Sequence, residues 1–158
     1  MKTAVVFYSL NERCAFVAGE IKALLGADLV RLHTTDEKKR SGIGNFFWAI
    51  GMVFGRKKPA LKPHTFDPSA YNLIIIGAPV WARTLAPPMQ TFVSEAGIVG
   101  KKVALFLCHT GDMMGAMEQL RALVAGNEIV SDINFKNTLK NSEEVKRQIA
   151  DWVKGLAG

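Results

Sequence analysis

Cysteine is scarce: Cys14 and Cys108 are the only two in 158 residues. Two thiols supply neither a disulfide framework nor a set of zinc ligands, and each is expected as a buried or half-buried side chain. Apolar stretches long enough to span a bilayer are also missing. The most apolar one, residues 42–55, falls well short of the roughly 20 residues a spanning helix needs. The opening Met1-Lys2-Thr3-Ala4-Val5-Val6-Phe7-Tyr8 is apolar too briefly for a secretory signal and has no cleavage site, so the cytoplasm is the expected compartment. No linker and no internal repeat divides the chain, and its length suits one domain, residues 1–158, with a real core. Acidic residues are in deficit, 14 against 20 Lys and Arg, for a net charge of +6. That excess is local. Residues 34–63 hold seven Lys/Arg (Lys38, Lys39, Arg40, Arg56, Lys57, Lys58, Lys62) against Asp36 and Glu37, which accounts for +5 of it. Neither basic cluster comes with a nucleic-acid-binding motif, so nucleic acid is not an expected partner.

Apolar runs of strand length are present. Leu73-Ile74-Ile75-Ile76 has no polar alternation and three β-branched residues, the mark of a strand buried on both faces. Gly77 and Pro79 are expected to end it, leaving Trp81 on the loop beyond, before Pro87 and Pro88 open a helix. Thr3 to Tyr8 reads as a strand of the same kind, followed by a helix over about 12–25 that Gly26 stops. Ala27 to Leu32 alternates and suits a sheet edge. Val103 to Leu107 and Ile129 to Phe135 are two further strands, separated by a helix over about 114–124. Asn141-Ser142-Glu143-Glu144 is expected to cap a last helix bearing Val145, Ile149, Trp152 and Val153. Strands alternating with helices imply a parallel sheet covered on both faces. Within 34–63, the stretch Gly42 to Gly55 is read as a sheet-covering helix with Phe46, Phe47, Ile50 and Phe54 buried. A patch meeting a second subunit or a membrane surface is the disfavoured reading of the same segment, 42–58.

Chemistry is expected where three loops leave the carboxyl ends of strands along one rim. The first, Ser9-Leu10-Asn11-Glu12-Arg13-Cys14, runs into a helix whose N–H groups can hold a phosphate, with Ser9, Asn11 and Arg13 adding bonds and charge. Glu12 would repel a phosphate unless it points away. Cys14, at a helix N-terminus, is a candidate for a lowered pKa and for oxidation. The second loop, Pro79-Val80-Trp81-Ala82-Arg83, offers backbone amides and an indole that either walls a flat ligand or caps the core. The third, His109-Thr110-Gly111-Asp112, offers amides and an imidazole. A mononucleotide would unite the three. No metal site and no catalytic side chain is read from these residues.

The run Ile76-Gly77-Ala78-Pro79-Val80-Trp81-Ala82 with Ala86-Pro87-Pro88, the Tyr8-Ser9-Leu10 start and the Phe/Trp-rich segment before Gly55-Arg56-Lys57-Lys58-Pro59 resemble the flavodoxin family along essentially the whole chain. The resemblance implies an α/β three-layer sandwich with a five-stranded parallel sheet of order 2-1-3-4-5, and FMN at the switch point between strands one and three. It further implies that 9–14 hold the phosphate, that 79–83 contact the isoalloxazine with Trp81 against it, and that 109–112 close the other side. The first loop departs from the family's Ser/Thr-x-Thr-Gly-x-Thr: Asn11, Glu12 and Cys14 stand where that pattern has Thr, Gly and Thr. The third loop lacks the glycines of close relatives, with Met113-Met114 after Asp112.

Two functions follow as expectations. One is a cytoplasmic FMN-binding redox protein, an electron carrier or an FMN-dependent oxidoreductase, with a redox protein or a pyridine-nucleotide reductase as partner and a homodimer as an assembly to consider. The other is a flavodoxin-like protein that has lost FMN and serves as an interaction module. A low-molecular-weight phosphatase is set aside because no Arg closes a loop with Cys14. A response regulator is set aside because Gly77-Ala78 stands where its Asp is needed.

Overall fold

The computed structural model describes residues 1–37, 42–55 and 58–157. Lys38, Lys39, Arg40, Arg56 and Lys57, most of the two basic clusters, lie outside the described residues. In chain order the elements are β1 (Thr3–Tyr8), α1 (Arg13–Leu25), β2 (Asp28–Leu32), α2 (Ile43–Phe54), β3 (Leu73–Trp81), β4 (Thr84–Leu85), α3 (Pro87–Glu95), β5 (Lys102–His109), α4 (Ala116–Leu123), β6 (Glu128–Lys136) and α5 (Ser142–Leu156). The sheet runs β2-β1-β3-β5-β6, every pairing parallel, with the two-residue β4 added antiparallel to β3. Counted without β4, that is the expected order 2-1-3-4-5.

Register explains the unbroken apolar runs. Val5, Ile75 and Ala104 lie side by side across β1, β3 and β5, as do Val6, Ile76 and Leu105 one residue on. Successive residues of a strand face opposite sides of the sheet. The first row belongs to a core shared with Val17 and Ile21 of α1 and Ile149 of α5. The second belongs to the opposite core, with Met89 and Phe92 of α3 and Leu120 of α4. All three residues of β3's Ile74-Ile75-Ile76 are completely buried, at about 1.5–3 kcal/mol of transfer free energy each. β2, at one edge, keeps exposed residues, but its burial does not alternate: Asp28 and Leu29 are both exposed and Leu32 alone is buried.

Three expectations are corrected. Gly77 and Pro79 do not end β3, which continues to Trp81. Gly77 is a notch: a Cβ there would stand 1.9 Å from Cζ of Phe106, whose ring lies over it from β5. Pro79 is tolerated because pairing with β1 has stopped at Gly77, so its missing N–H breaks no bond on that side. The phenylalanines of α2 are not core. Phe46, Phe47 and Phe54 are 61%, 66% and 75% exposed, Ile50 is half-buried, and the helix buries Ala49 and Met52 instead. Both faces of the sheet are already covered by α1/α5 and α3/α4, so α2 sits against the carboxyl end of β3. Burial was the ground for disfavouring an exposed role of residues 42–58, and it does not hold. Third, Asn141 precedes α5 without a side-chain cap bond, though Glu143 and Glu144 still place charge in the first turn.

The excursion between β2 and β3 returns to its origin. Thr35 N–H donates to Ala60 O at 2.9 Å and Lys62 N–H to His33 O at 2.8 Å, around a bridge between Thr34 and Leu61. Among the described residues no helix is long and apolar enough to cross a membrane.

Gly77→Ala is expected to lower stability by about 1–3 kcal/mol, because Phe106 must shift in a filled core. Urea unfolding against wild type measures it, and an unchanged midpoint would show that the ring moves freely.

Candidate functional site

The first loop is built by a residue in an unusual conformation. Glu12 is left-handed at φ 59°, which costs a residue with a Cβ about 1–2 kcal/mol. Its carbonyl accepts the Phe16 N–H at 2.9 Å and so starts α1. The buried Ser9 turns its Oγ to accept the Ala15 N–H at 3.2 Å. Other amides of α1's first turn have no intrahelical acceptor by geometry and point at the rim. The Glu12 side chain leaves the loop for β2, where Arg31 Nη2 donates to Oε1 at 2.5 Å and Nη1 to Oε2 at 3.2 Å. Nη2 also donates to the Ser9 carbonyl at 3.0 Å. The hydrogen bond from Arg31, with its charge, holds the Glu12 carboxyl below its ordinary range and raises Arg31 in turn.

The second loop is a hairpin. β3 turns into β4 through Ala82 and Arg83, both left-handed at φ 47° and 63°, between the paired Trp81 and Thr84. This is the two-residue turn that normally calls for Asn-Gly or Asp-Gly, and the absence of that signal is why β4 was not legible. Gln119 of α4 fixes it: Oε1 accepts from Thr84 Oγ1 at 2.8 Å and from Leu85 N–H at 3.0 Å. Trp81 is fixed as well, meeting the Tyr8 ring edge-on at 5.6 Å and the Trp48 ring at 6.0 Å. Burial pushes the Tyr8 phenol pKa up, with Glu37 acting in the same direction, so it stays a neutral hydroxyl.

The third loop starts at the buried His109. Its Nδ1 stands 2.7 Å from the Gly111 carbonyl, which can only accept, so Nδ1 carries a proton. Nε2 lies 2.9 Å from the Asn134 side-chain amide of β6. Asp112 Oδ1 accepts the Met114 N–H at 2.8 Å, turning the chain toward α4.

These loops meet in one cavity of about 220 Å³. The first contributes Ser9, Leu10, Asn11, Arg13 and Cys14; the second Pro79, Val80, Trp81 and Ala82; the third His109 and Thr110. Glu12, Arg83, Gly111 and Asp112 are outside the lining: Glu12 is drawn off by Arg31, and Gly111 and Asp112 are occupied in shaping their loop. Cys108, just before the third loop, also lines the cavity; sequence reasoning missed the remaining wall, which is α2 with Gly42, Asn45, Phe46, Ala49 and Ile50. The available signal was Phe46 and Ile50, four residues apart on a helix without a charge, taken for core. Among the described residues the lining holds one formal cation, Arg13, and no carboxylate. The lining thus offers hydrogen-bond donors and a cation beside α1 and an aromatic wall at Trp81.

Cys14 is not activated. It and Cys108 are both buried and free, and burial, reinforced by contact with Cys108, pushes the Cys14 thiol well up despite its place at a helix start. The expected lowered pKa is therefore corrected.

Compared with known proteins, the sequence profile of the family described as Flavodoxin matches residues 2–156. A flavoprotein from Lactobacillus acidophilus NCFM, solved in complex with FMN, has a similar structure: TM-score 0.72, 20% identity, 88% of this chain and 96% of that chain covered. A candidate flavoprotein from Bacteroides eggerthii gives TM-score 0.79 at 19% identity, covering 99% of this chain and 98% of that chain. Two-electron reduced Megasphaera elsdenii flavodoxin gives 0.61 at 17% identity, covering 96% and 98%. At these identities the likeness is one of fold. No curated protein matches the chain.

Two outcomes are expected. The Glu12 carboxyl is depressed in the fold, so its stabilisation is present above the unfolded pKa and is lost as pH falls through the folded value. Because Glu12 is 63% exposed, Glu12→Gln should destabilise by only about 0.5 kcal/mol at neutral pH, and the difference should shrink as acid protonates the carboxyl, as read by urea unfolding at neutral and at acid pH. Iodoacetamide should leave Cys14 and Cys108 unmodified in the native protein at neutral pH and alkylate both once urea unfolds it. Rapid native labelling of Cys14 would contradict its burial.

Proposed function

The chain belongs to the flavodoxin family, and on that premise we propose that it is an FMN-binding redox protein. The observation that carries this reading is the convergence of three rim loops and α2 on one cavity with helix amides and Arg13 at one end, Trp81 at the other, and no carboxylate among the described residues of its lining. The residues fit the group. Ser9, Asn11, Arg13 and the first-turn amides of α1 would hold the phosphate, with the amides donating and Arg13 supplying charge. Trp81, held edge-on by Tyr8 and Trp48, would lie against the ring system. The backbone around Val80 to Ala82, and Thr110 on the facing loop, would supply its hydrogen bonds. FMN, once bound, supplies one- and two-electron chemistry. The protein's part is to orient the ring, exclude water from one side and set the charge near it.

None of these residues has to act as acid, base or nucleophile. The function proposed is electron transfer, or flavin-dependent reduction in which a redox protein or a pyridine-nucleotide reductase delivers the electrons. The opposing reading, a fold that has lost its flavin, rests on the altered first loop. Its best support was the change to Glu12 and Cys14; the Glu12 carboxylate is paired with Arg31 and is not in the cavity lining, while Cys14 is.

Apoprotein titrated with FMN should show a bound-flavin visible spectrum and quenched flavin fluorescence. Trp81→Ala should weaken binding by about 1–3 kcal/mol, the scale of aromatic stacking on a base, and relieve the quenching. Failure of the purified protein either to retain or to take up FMN would replace this reading with that of an interaction module.

A further inference from the structure

We propose that Arg31 is a positioning residue that makes the first loop accept a phosphate-bearing ligand, by holding the Glu12 carboxylate on β2 and away from the amides of α1. The inference rests on the flavin reading of the site and concerns the phosphate end of it.

Glu12 directly precedes α1, where N–H groups and the helix dipole attract negative charge. Left alone, its carboxylate has two ways to spoil the site. It can fold over the first-turn amides and take the anion's place, or it can stand beside a bound dianion and repel it. Both are prevented by one guanidinium. Arg31 engages the two carboxylate oxygens with separate nitrogens, a fork-on-fork geometry that fixes direction as well as distance. Nη2 also reaches the Ser9 carbonyl at 3.0 Å, so the same group ties both ends of the loop 9–12 together. The Ser9 hydroxyl oxygen meanwhile accepts the Ala15 N–H, which leaves its O–H able to donate to a bound anion. Arg31 and Glu12 cancel in charge, and among the described residues of the lining Arg13 then supplies the positive charge. The depressed Glu12 carboxyl agrees with a pairing that persists through the neutral range.

Arg31 therefore acts through Glu12, and this separates it from a residue that merely stiffens the loop. A stiffener would serve any flavin. A charge clamp serves FMN, which carries the phosphate, over riboflavin, which does not.

The experiment compares wild type, Arg31→Met, Glu12→Gln and the double variant as apoproteins. Flavin fluorescence gives the Kd for FMN and for riboflavin, and NMR follows the amides of Ser9 to Cys14 during titration with inorganic phosphate. Circular dichroism checks that each variant is folded. Arg31→Met should weaken FMN on the order of tenfold, leave riboflavin within about twofold, and regain FMN affinity to within about threefold when Glu12→Gln is added. Added salt should shrink the Arg31→Met loss, since exposed charges are screened. Equal losses for FMN and riboflavin, or no recovery in the double variant, would overturn the clamp and leave the flavin reading intact. If no protein takes up either flavin while phosphate moves the loop amides in wild type and not in Arg31→Met, the clamp stands and the flavin reading falls. If phosphate moves nothing and no flavin binds, both fall.

Discussion

Burial of β3 on both faces is the constraint from which the rest of the molecule follows. A strand paired with β1 on one side and β5 on the other, and covered by helices above and below, can have no polar residue along its length, and Leu73 to Ile76 has none. Its neighbours must then be strands of the same kind, and each connection must cross over a face to return parallel. α1 and α5 take one face and α3 and α4 the other. The chain moves outward from β1 to β2 and then crosses to β3 on β1's other side. That reversal opens a crevice at the carboxyl ends of β1 and β3. The position of the cavity is thus a consequence of the order of pairing, and its lining comes from the carboxyl ends of β3 and β5, the loops beyond β1 and β5, and α2.

Those loops are held by devices that work locally. Two consecutive left-handed residues, Ala82 and Arg83, are kept in place because Gln119 satisfies the hairpin from α4. Glu12 is kept left-handed with its side chain anchored on β2. Non-glycine residues in this region cost energy, and they persist where the surroundings determine them several times over. Here they stand at two of the three loops that form the cavity. Trp81 receives its orientation from rings of β1 and α2, so the site is shaped by four separate parts of the chain.

Much of this was legible in the residues. Continuous apolar runs identified the parallel strands, Gly26 marked the end of α1, and the three rim loops were found because an α/β sheet puts its loops in known places. What escaped did so for physical reasons. Gly77 and Pro79 look like terminators in isolation. Only the register shows that one makes room for Phe106 and that the other lies past the end of β1 pairing. The turn at Ala82-Arg83 has no residue of left-handed preference to betray it. The apolar stripe of α2 has the spacing of a core helix, yet core membership depends on whether a face is still open, and both were taken. Glu12 looked harmful because its partner, Arg31, lies 19 residues away on a strand whose pairing brings it alongside.

The pairing of Glu12 with Arg31 also makes the two positions depend on each other unequally. Without Glu12, Arg31 still has the Ser9 carbonyl to bind. Without Arg31, the Glu12 carboxylate loses the partner that engages both of its oxygens. A change at position 31 is thus felt 19 residues away at the entrance of α1, whereas a change at position 12 leaves the sheet edge and the loop still tied.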